Sequence, residues 1–280
     1  MSRFWRSVLS WAVLSPLVVT TILPFAVMIS TALKPHAEVL SYPPTWLPQH
    51  WAWENFAEMW EAVGFGQAAF NSVLIAVSAT VLALLIAVPA AYAMSRLPMR
   101  GKGAYRQFLL VTQMLSPILL VLGLYRMVAS IPFGDATMAD TRLGVVIVYA
   151  AYHLAFAVWM LASYFSTIPS DLEEAAWIDG ASRARAVISV FLPLALPAIA
   201  VTGIVTFVAS WNEFTVALTL LRDPSRLTLP LKVVNLVAGR YSVEWNQVMA
   251  ATLLATLPVA VVFTLLQRYL VTGLTLGAVK

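Results

Sequence analysis

The chain has 280 residues, 61% of them hydrophobic and only 11% charged, with a mean hydropathy of +0.84 and a formal net charge of +4. Soluble domains are about half apolar and about a quarter charged, so this balance excludes an ordinary water-soluble enzyme and points to a polytopic membrane protein. The absence of cysteine excludes disulfides and thiolate metal sites, and no run of Lys and Arg is dense enough to suggest nucleic acid.

One crossing of ~30 Å of hydrocarbon takes ~20 apolar residues. Six segments qualify: residues 11–33, 70–94, 108–128, 144–165, 192–221 and 248–271. Arg3 and Arg6 before the first segment superficially resemble the start of a signal peptide. That apolar stretch is longer than a signal core, however, and runs into Lys34-Pro35 rather than a small-residue cleavage site, so it reads as a retained span. Pro16, Pro24, Pro89, Pro117 and Pro258 interrupt span interiors, and Pro193 and Pro197 restrict entry to the fifth. Such breaks survive in lipid when neighbouring helices satisfy the freed carbonyls, which predicts an all-α polytopic bundle of six transmembrane helices.

Orientation follows from the loops. With the N-terminus inside, Arg3, Arg6, Arg96, Arg100, Lys102, Arg106, Arg183, Arg185, Arg268 and Lys280 face the cytoplasm. Lys34, Arg126, Arg142, Arg222, Arg226, Lys232 and Arg240 face outward. The bias is concentrated in the early loops, which usually dominate, and it predicts both termini cytoplasmic. The outer segment 34–69 carries Trp46, Trp51, Trp53 and Trp60. Two readings fit them, an interfacial aromatic belt and a surface that stacks on sugar rings.

A polar island at residues 170–190 separates the fourth and fifth spans. Ser170 and Glu173 have capping-box spacing, and Asp171, Glu173 and Glu174 fall in the first turn, where the helix dipole favours negative charge. Gly180 supplies a stop, and a second short helix runs from Ser182 into Val190. Ala175 and Ala176 leave the backbone approachable, so the helix fits a groove on another protein, with its acids meeting basic groups there. The competing reading is a capped loop helix whose acids are simply solvated.

Two further positions stand out. His153 lies near the middle of the fourth span, where an ionisable group is expensive; it reads either as functional or as a hydrogen-bonded packing residue. Glu213 is the carboxylate inside the fifth span, about 30 Å along the helix from Leu192. With Asn212 beside it, solute contact and helix–helix bonding are both open. The three histidines have no metal-ligand spacing, and Gly101-Lys102-Gly103 is not a phosphate loop, so the chain carries no metal, catalytic or ATP-hydrolysing motif.

Glu174-Ala175-Ala176, then Gly180, then Val190-Phe191-Leu192-Pro193 resembles the EAA loop of binding-protein-dependent ABC importers, with Val190 where isoleucine is usual. Asn71-Ser72, Ala90-Ala91-Tyr92-Ala93 with Arg96, Ser210-Trp211-Asn212-Glu213-Phe214, and Gly273-Leu274-Thr275 to Gly277-Ala278-Val279-Lys280 are similar to the smaller permease subunit of maltose-type carbohydrate importers. The resemblance implies a type I importer permease (MetI-like) fold with cytoplasmic coupling helices. It places Glu173, Glu174, Ala175, Ala176, Asp179 and Gly180 against a separate ATP-hydrolysing subunit. A tail, residues 272–280 with Gly273, Thr275, Gly277 and Lys280, reaches toward the ATPase pair. Trp211, Asn212, Glu213 and His153 fall at the solute path or gate.

The partners implied are a second related permease, two ATP-binding subunits holding ATP and Mg, an extracytoplasmic solute-binding protein and membrane lipid, in a bacterial inner membrane. The cargo implied is a sugar, oligosaccharide or polyol, with a non-sugar solute such as glycerol phosphate as the alternative. An ion-coupled carrier would show paired halves, which are not found in the sequence; a membrane enzyme would want clustered carboxylates or histidines at a membrane surface, and here helix capping explains the main acidic cluster.

Overall fold

A computed structural model describes residues 3–134, 136–238 and 242–276. In chain order the elements are α1 (Arg3–Ala32), α2 (His36–Val39), α3 (Glu54–Val63), α4 (Phe65–Arg96), α5 (Lys102–Gln113) and α6 (Pro117–Ala129). A two-residue ladder follows, β1 (Pro132–Phe133) with β2 (Ala136–Thr137), then α7 (Arg142–Phe165), α8 (Asp171–Ile178) and α9 (Arg183–Ala186). A π turn (Val187–Phe191) leads into α10 (Leu192–Trp211), α11 (Thr215–Leu220), α12 (Leu229–Val234) and α13 (Trp245–Leu276).

Among the described residues, five stretches are long and apolar enough to cross a membrane: Trp11–Ala32, Phe65–Arg96, Arg142–Phe165, Arg183–Trp211 and Trp245–Leu265. The expected third span is not one straight helix. Lys102–Gln113 and Ile118–Ala129 meet at 99°, and six crossings result only if the pair counts as one. Ser116, which precedes a proline, sits at φ −67° and ψ 137°, the extended conformation that such a residue favours. Pro16, Pro24, Pro89, Pro197 and Pro258 instead lie inside continuous helices. Breaking the helix there would expose backbone groups that hydrocarbon cannot satisfy.

The chain divides into two compact units, residues 1–69 with 229–257 and residues 70–228 with 258–280. In the first, the apolar stretch Trp11–Ala32 has none of its window buried. The Thr20 and Thr21 hydroxyls donate to the carbonyls of Pro16 and Leu17, which lets polar side chains tolerate an apolar surrounding. Asn55, 3% exposed, organises this unit: its Nδ2 donates to the carbonyls of Ala32 (2.8 Å) and Lys34 (2.9 Å), and its Oδ1 accepts from Asn246 Nδ2 (2.8 Å). His36 Nδ1 lies 2.7 Å from Glu244 Oε2.

The second unit is built on α4, α7 and α10. Ala79, Ala83, Ala87 and Ala91 recur every four residues along α4 and are fully buried, a small-residue stripe that allows close helix approach. A Cβ on Gly203 of α10 would come within 3.2 Å of Leu84, so this crossing is tight as well. Helices α7 and α10 run antiparallel: Phe165 packs edge-on against Phe191 at one end (4.9 Å between centroids), and the Tyr149 hydroxyl donates to the Glu213 carbonyl at the other (3.2 Å). At the Tyr149 end Asp140 clamps the loop after α11. Its amide donates to the Leu220 carbonyl, and its carboxylate accepts from the amides of Arg222 and Asp223.

Candidate functional site

The polar island folds as two short helices joined at a glycine. Helix α8 ends in a Schellman motif: the Gly180 amide donates to the Trp177 carbonyl (3.0 Å) and the Ala181 amide to the Ala176 carbonyl (2.9 Å). Gly180 reaches this geometry at φ +86°, in the left-handed region. Two residues on, the Ser182 hydroxyl accepts from the Arg185 amide and starts α9. The predicted stop and restart both appear. The second helix does not end at Val190, however; it continues through the π turn into α10.

The predicted capping box does not form. Ser170 is itself helical (φ −67°, ψ −29°) and its side chain caps nothing. The Glu173 carboxylate turns inward: Oε1 accepts from Arg96 Nε (2.6 Å) and Oε2 from the Tyr92 hydroxyl (2.8 Å). An arginine and a phenol offer a carboxylate stronger, charge-assisted bonding than the backbone amide of a helix start.

This arrangement inverts the usual pattern of an amphipathic helix. Glu173, an acid, is 3% exposed, whereas Leu172, Trp177 and Ile178 are exposed, Ile178 by 86%. Glu174, Ala175, Asp179 and Gly180 share that exposure, with Ala176 half-buried. The Arg183 guanidinium lies 5.8 Å from the Trp177 ring centroid. A short helix that buries its carboxylate and presents leucine, tryptophan and isoleucine has the composition of an interaction face rather than a solvated loop. Sequence reasoning missed Leu172, Trp177 and Ile178; the available signal was two bulky apolar residues in the last turn of a helix otherwise read as polar.

Of the residues assigned to a solute path, Glu213 occupies a different environment from the one expected. The fifth crossing ends at Trp211, not at residue 221. Glu213 therefore lies in a turn, and its carboxylate accepts from the amides of Val216 (3.0 and 3.1 Å) and Ala217 (3.3 Å) at the start of α11. An acid at this position satisfies orphan amides and complements the positive end of the helix dipole, so its charge has a local structural use. Asn212 is exposed and its Nδ2 donates to the Val208 carbonyl, while Trp211 is buried against Phe207 (6.0 Å between centroids). His153 is buried beside Tyr152 and Tyr149 (5.3 and 6.4 Å between centroids), and Tyr149 reaches the Glu213 carbonyl. Among the described residues, the buried atoms His153 Nε2, Thr206 Oγ1 and Ser210 Oγ have no hydrogen-bond partner.

Gly273 and Thr275 fall within α13, which extends through Leu276; Gly277 and Lys280 lie outside the described residues. Among the described residues no group of three or more His, Cys, Asp or Glu is placed to hold a metal ion. In the first unit, Trp51 and Trp53 stack at 6.2 Å and 15°, both exposed, and Trp60 packs on Phe65.

Comparison with known proteins gives a consistent result. The profile of the family described as "Binding-protein-dependent transport system inner membrane component" matches residues 79–275. The diacetylchitobiose uptake system permease protein DasC of Streptomyces coelicolor is 31% identical over 259 residues, 92% of this chain and 92% of that protein. The trehalose/maltose transport system permease protein MalG of Thermococcus litoralis is 36% identical over 210 residues, 75% of this chain and 74% of that protein. Among solved structures, a chain of a bacterial ABC transporter involved in the import of the acidic polysaccharide alginate has the same fold. It superposes with a TM-score of 0.80 at 23% identity, covering 96% of this chain and 98% of that one.

Proposed function

Because this chain belongs to the family of binding-protein-dependent transport system inner membrane components, we propose that it is the permease subunit through which an ATP-driven importer moves a sugar, oligosaccharide or polyol. The observation that carries the coupling role is the inverted helix α8, with Leu172, Trp177 and Ile178 displayed beside Glu174 and Asp179. Such a face suits a groove on a water-soluble ATPase subunit: apolar side chains fill it, and the acids meet basic groups at its rim. In this reading Glu174, Ala175, Ala176, Asp179 and the Gly180 turn form the coupling element. Glycan cargo is supported by the names of the diacetylchitobiose and trehalose/maltose relatives.

The assembly would contain a second, related permease, two ATP-binding subunits and an extracytoplasmic solute-binding protein, with both termini of this chain in the cytoplasm. ATP binding closes the ATPase pair, the closing pair carries the α8 helices together, and the spans reorient around the solute. A decisive shift between the two orientations takes roughly 5 kcal/mol of differential affinity. The last turns of α13, with Gly273 and Thr275, and the residues beyond, with Gly277 and Lys280, would approach the ATPase pair. Trp211, Asn212, Glu213 and His153 would lie along the gate, with Asn212 the exposed member.

The test is purification in mild detergent with identification of the proteins that accompany the chain, followed by ATP hydrolysis by the complex and a thermal-shift sugar screen on the binding protein. An ATPase subunit and a second permease are expected in the complex. Solute uptake by the chain alone in liposomes, without ATP, would remove the assignment.

A further inference from the structure

Glu173 was grouped with the ATPase-contacting residues on sequence grounds, but its surroundings give it a different task. We infer that Glu173 is the fixed end of an internal tether that makes α8, the end of α4 and the start of the α9–α10 helix move as one body; this rests on the coupling role proposed above. The carboxylate is held from two positions one turn apart on α4, Tyr92 and Arg96, a spacing that brings both side chains to the same point. Arg96 then uses a second donor: its Nη2 donates to the Ile168 carbonyl (2.7 Å), just past the end of α7. Its guanidinium also lies 5.1 Å from the centroid of the Phe191 ring, in the π turn. Tyr92 and Phe165 meet the same ring edge-on, each at 4.9 Å.

One buried node therefore ties α8, α4, the α7 terminus and the entrance to α10. The Arg96 and Glu173 side chains are 14% and 4% exposed, so the pair is largely removed from water. Charges in such a place are costly alone and directional when matched; their use is to fix an orientation rather than to add stability. A force applied to the exposed face of α8 is thereby delivered to α4, α7 and α10 at once. Without the tether, α8 follows the ATPase while the spans lag. Glu173 is a positioning residue, acting through Arg96, whose rigid guanidinium fork reaches Glu173 with Nε and the Ile168 carbonyl with Nη2.

The experiment uses the complete complex with its co-purified partners in lipid nanodiscs, and reads two quantities: recovery of the ATPase subunit and basal ATP hydrolysis without solute or binding protein. Glu173→Gln and Arg96→Lys are expected to leave ATPase recovery within twofold of wild type and to raise basal hydrolysis about fivefold or more. Ile178→Asp, in the docking face, is expected to lower recovery instead. If Ile178→Asp has no effect on recovery, the docking assignment fails while the tether is still judged by its own readout. Loss of recovery in Glu173→Gln to the level of Ile178→Asp would make Glu173 a contact residue and overturn the tether, as would basal hydrolysis unchanged in both tether variants.

Because the chain contains no cysteine, a covalent replacement gives a second arm that does not depend on the folding of a charge-unpaired variant. Arg96→Cys with Glu173→Cys, bridged by a short reversible bifunctional methanethiosulfonate, should return basal hydrolysis to within twofold of wild type, and reduction of the bridge should release it again. A bridged complex whose basal hydrolysis stays as high as after reduction would refute the tether.

Discussion

Gly180 donates its amide to the carbonyl of Trp177 from a backbone φ of +86°, and with the Ala181 bond to Ala176 this sets where α8 stops. A Cβ at Gly180 would meet nothing within 4 Å, so the demand on this position is conformational rather than steric. A side chain in the left-handed region costs roughly 1–2 kcal/mol, most for a β-branched residue and least for asparagine. Gly180→Val is expected to abolish uptake with membrane insertion intact, and Gly180→Asn to retain most of it. Equal loss in both variants, measured in vesicles with matched protein levels, would mean that the backbone angle is not what matters.

Ile178 separates docking from folding. It is 86% exposed and holds nothing together inside the chain, so Ile178→Asp should shift the melting temperature of the purified chain by no more than about 1 °C, as surface substitutions generally do. Recovery of the ATPase subunit should fall about tenfold, which is roughly 1.4 kcal/mol of binding. Unchanged co-purification would place the contact elsewhere on the island.

Glu213 discriminates between a gate and a cap. Glutamine keeps one acceptor oxygen for the Val216 and Ala217 amides, whereas alanine keeps none. Glu213→Ala should lose about 0.5–2 kcal/mol in detergent unfolding, with Glu213→Gln close to wild type in both stability and uptake. Uptake lost in Glu213→Gln with unfolding unchanged would show that the charge itself acts on the solute path.

Apolar run length made the first, second, fourth and sixth crossings legible, because hydrocarbon thickness fixes what such a run must do. The Gly180 stop was legible too, since a glycine closing a short run of helix formers has few other uses. Glu173 was misread because capping-box spacing is a local signal, while Arg96 and Tyr92 lie 77 and 81 residues away in sequence. The end of the fifth crossing was misread for a related reason: residues 215–220 are apolar enough to continue a span, and only the turn at Asn212 and Glu213 shows that they form a separate helix. The bend between α5 and α6 was hidden in a run whose composition suits one straight span, although Pro117 marked the place.

Asn55 is the clearest stability test in the first unit. Asn55→Ala removes the donor to two carbonyls and the acceptor of Asn246. A buried polar group left without a partner costs about 1–3 kcal/mol, so a lowered unfolding midpoint is expected together with faster hydrogen exchange near the end of α1. A neutral result would mean that water reaches these groups.

Asp223 sets the acid limit of the loop after α11. The Ser225 amide and hydroxyl, each 2.8 Å away, hold its carboxyl below the ordinary value of 3.8; desolvation opposes them, and Arg226 and then Arg142 add smaller lowering effects. A depressed value favours the folded loop at every pH above 3.8, and the contribution disappears as the pH falls through the folded value. Hydrogen exchange at the Ser225 amide should therefore stay protected from pH 7 down to about 4 and rise only below that, and Asp223→Asn should abolish the dependence.

The wide turn at Val187–Phe191 has a geometric consequence for anyone altering this protein. Each residue advances a regular helix by about 100°, so one extra residue in a turn swings everything downstream by nearly a third of a revolution. Ala195 and Ala198, downstream of that offset, lie on the buried side of α10. A helical-wheel plot drawn straight through from Arg183 to Trp211 will assign the wrong faces beyond Phe191, whereas a single-residue deletion that turns this segment into regular helix would leave Ala195 and Ala198 on the buried side.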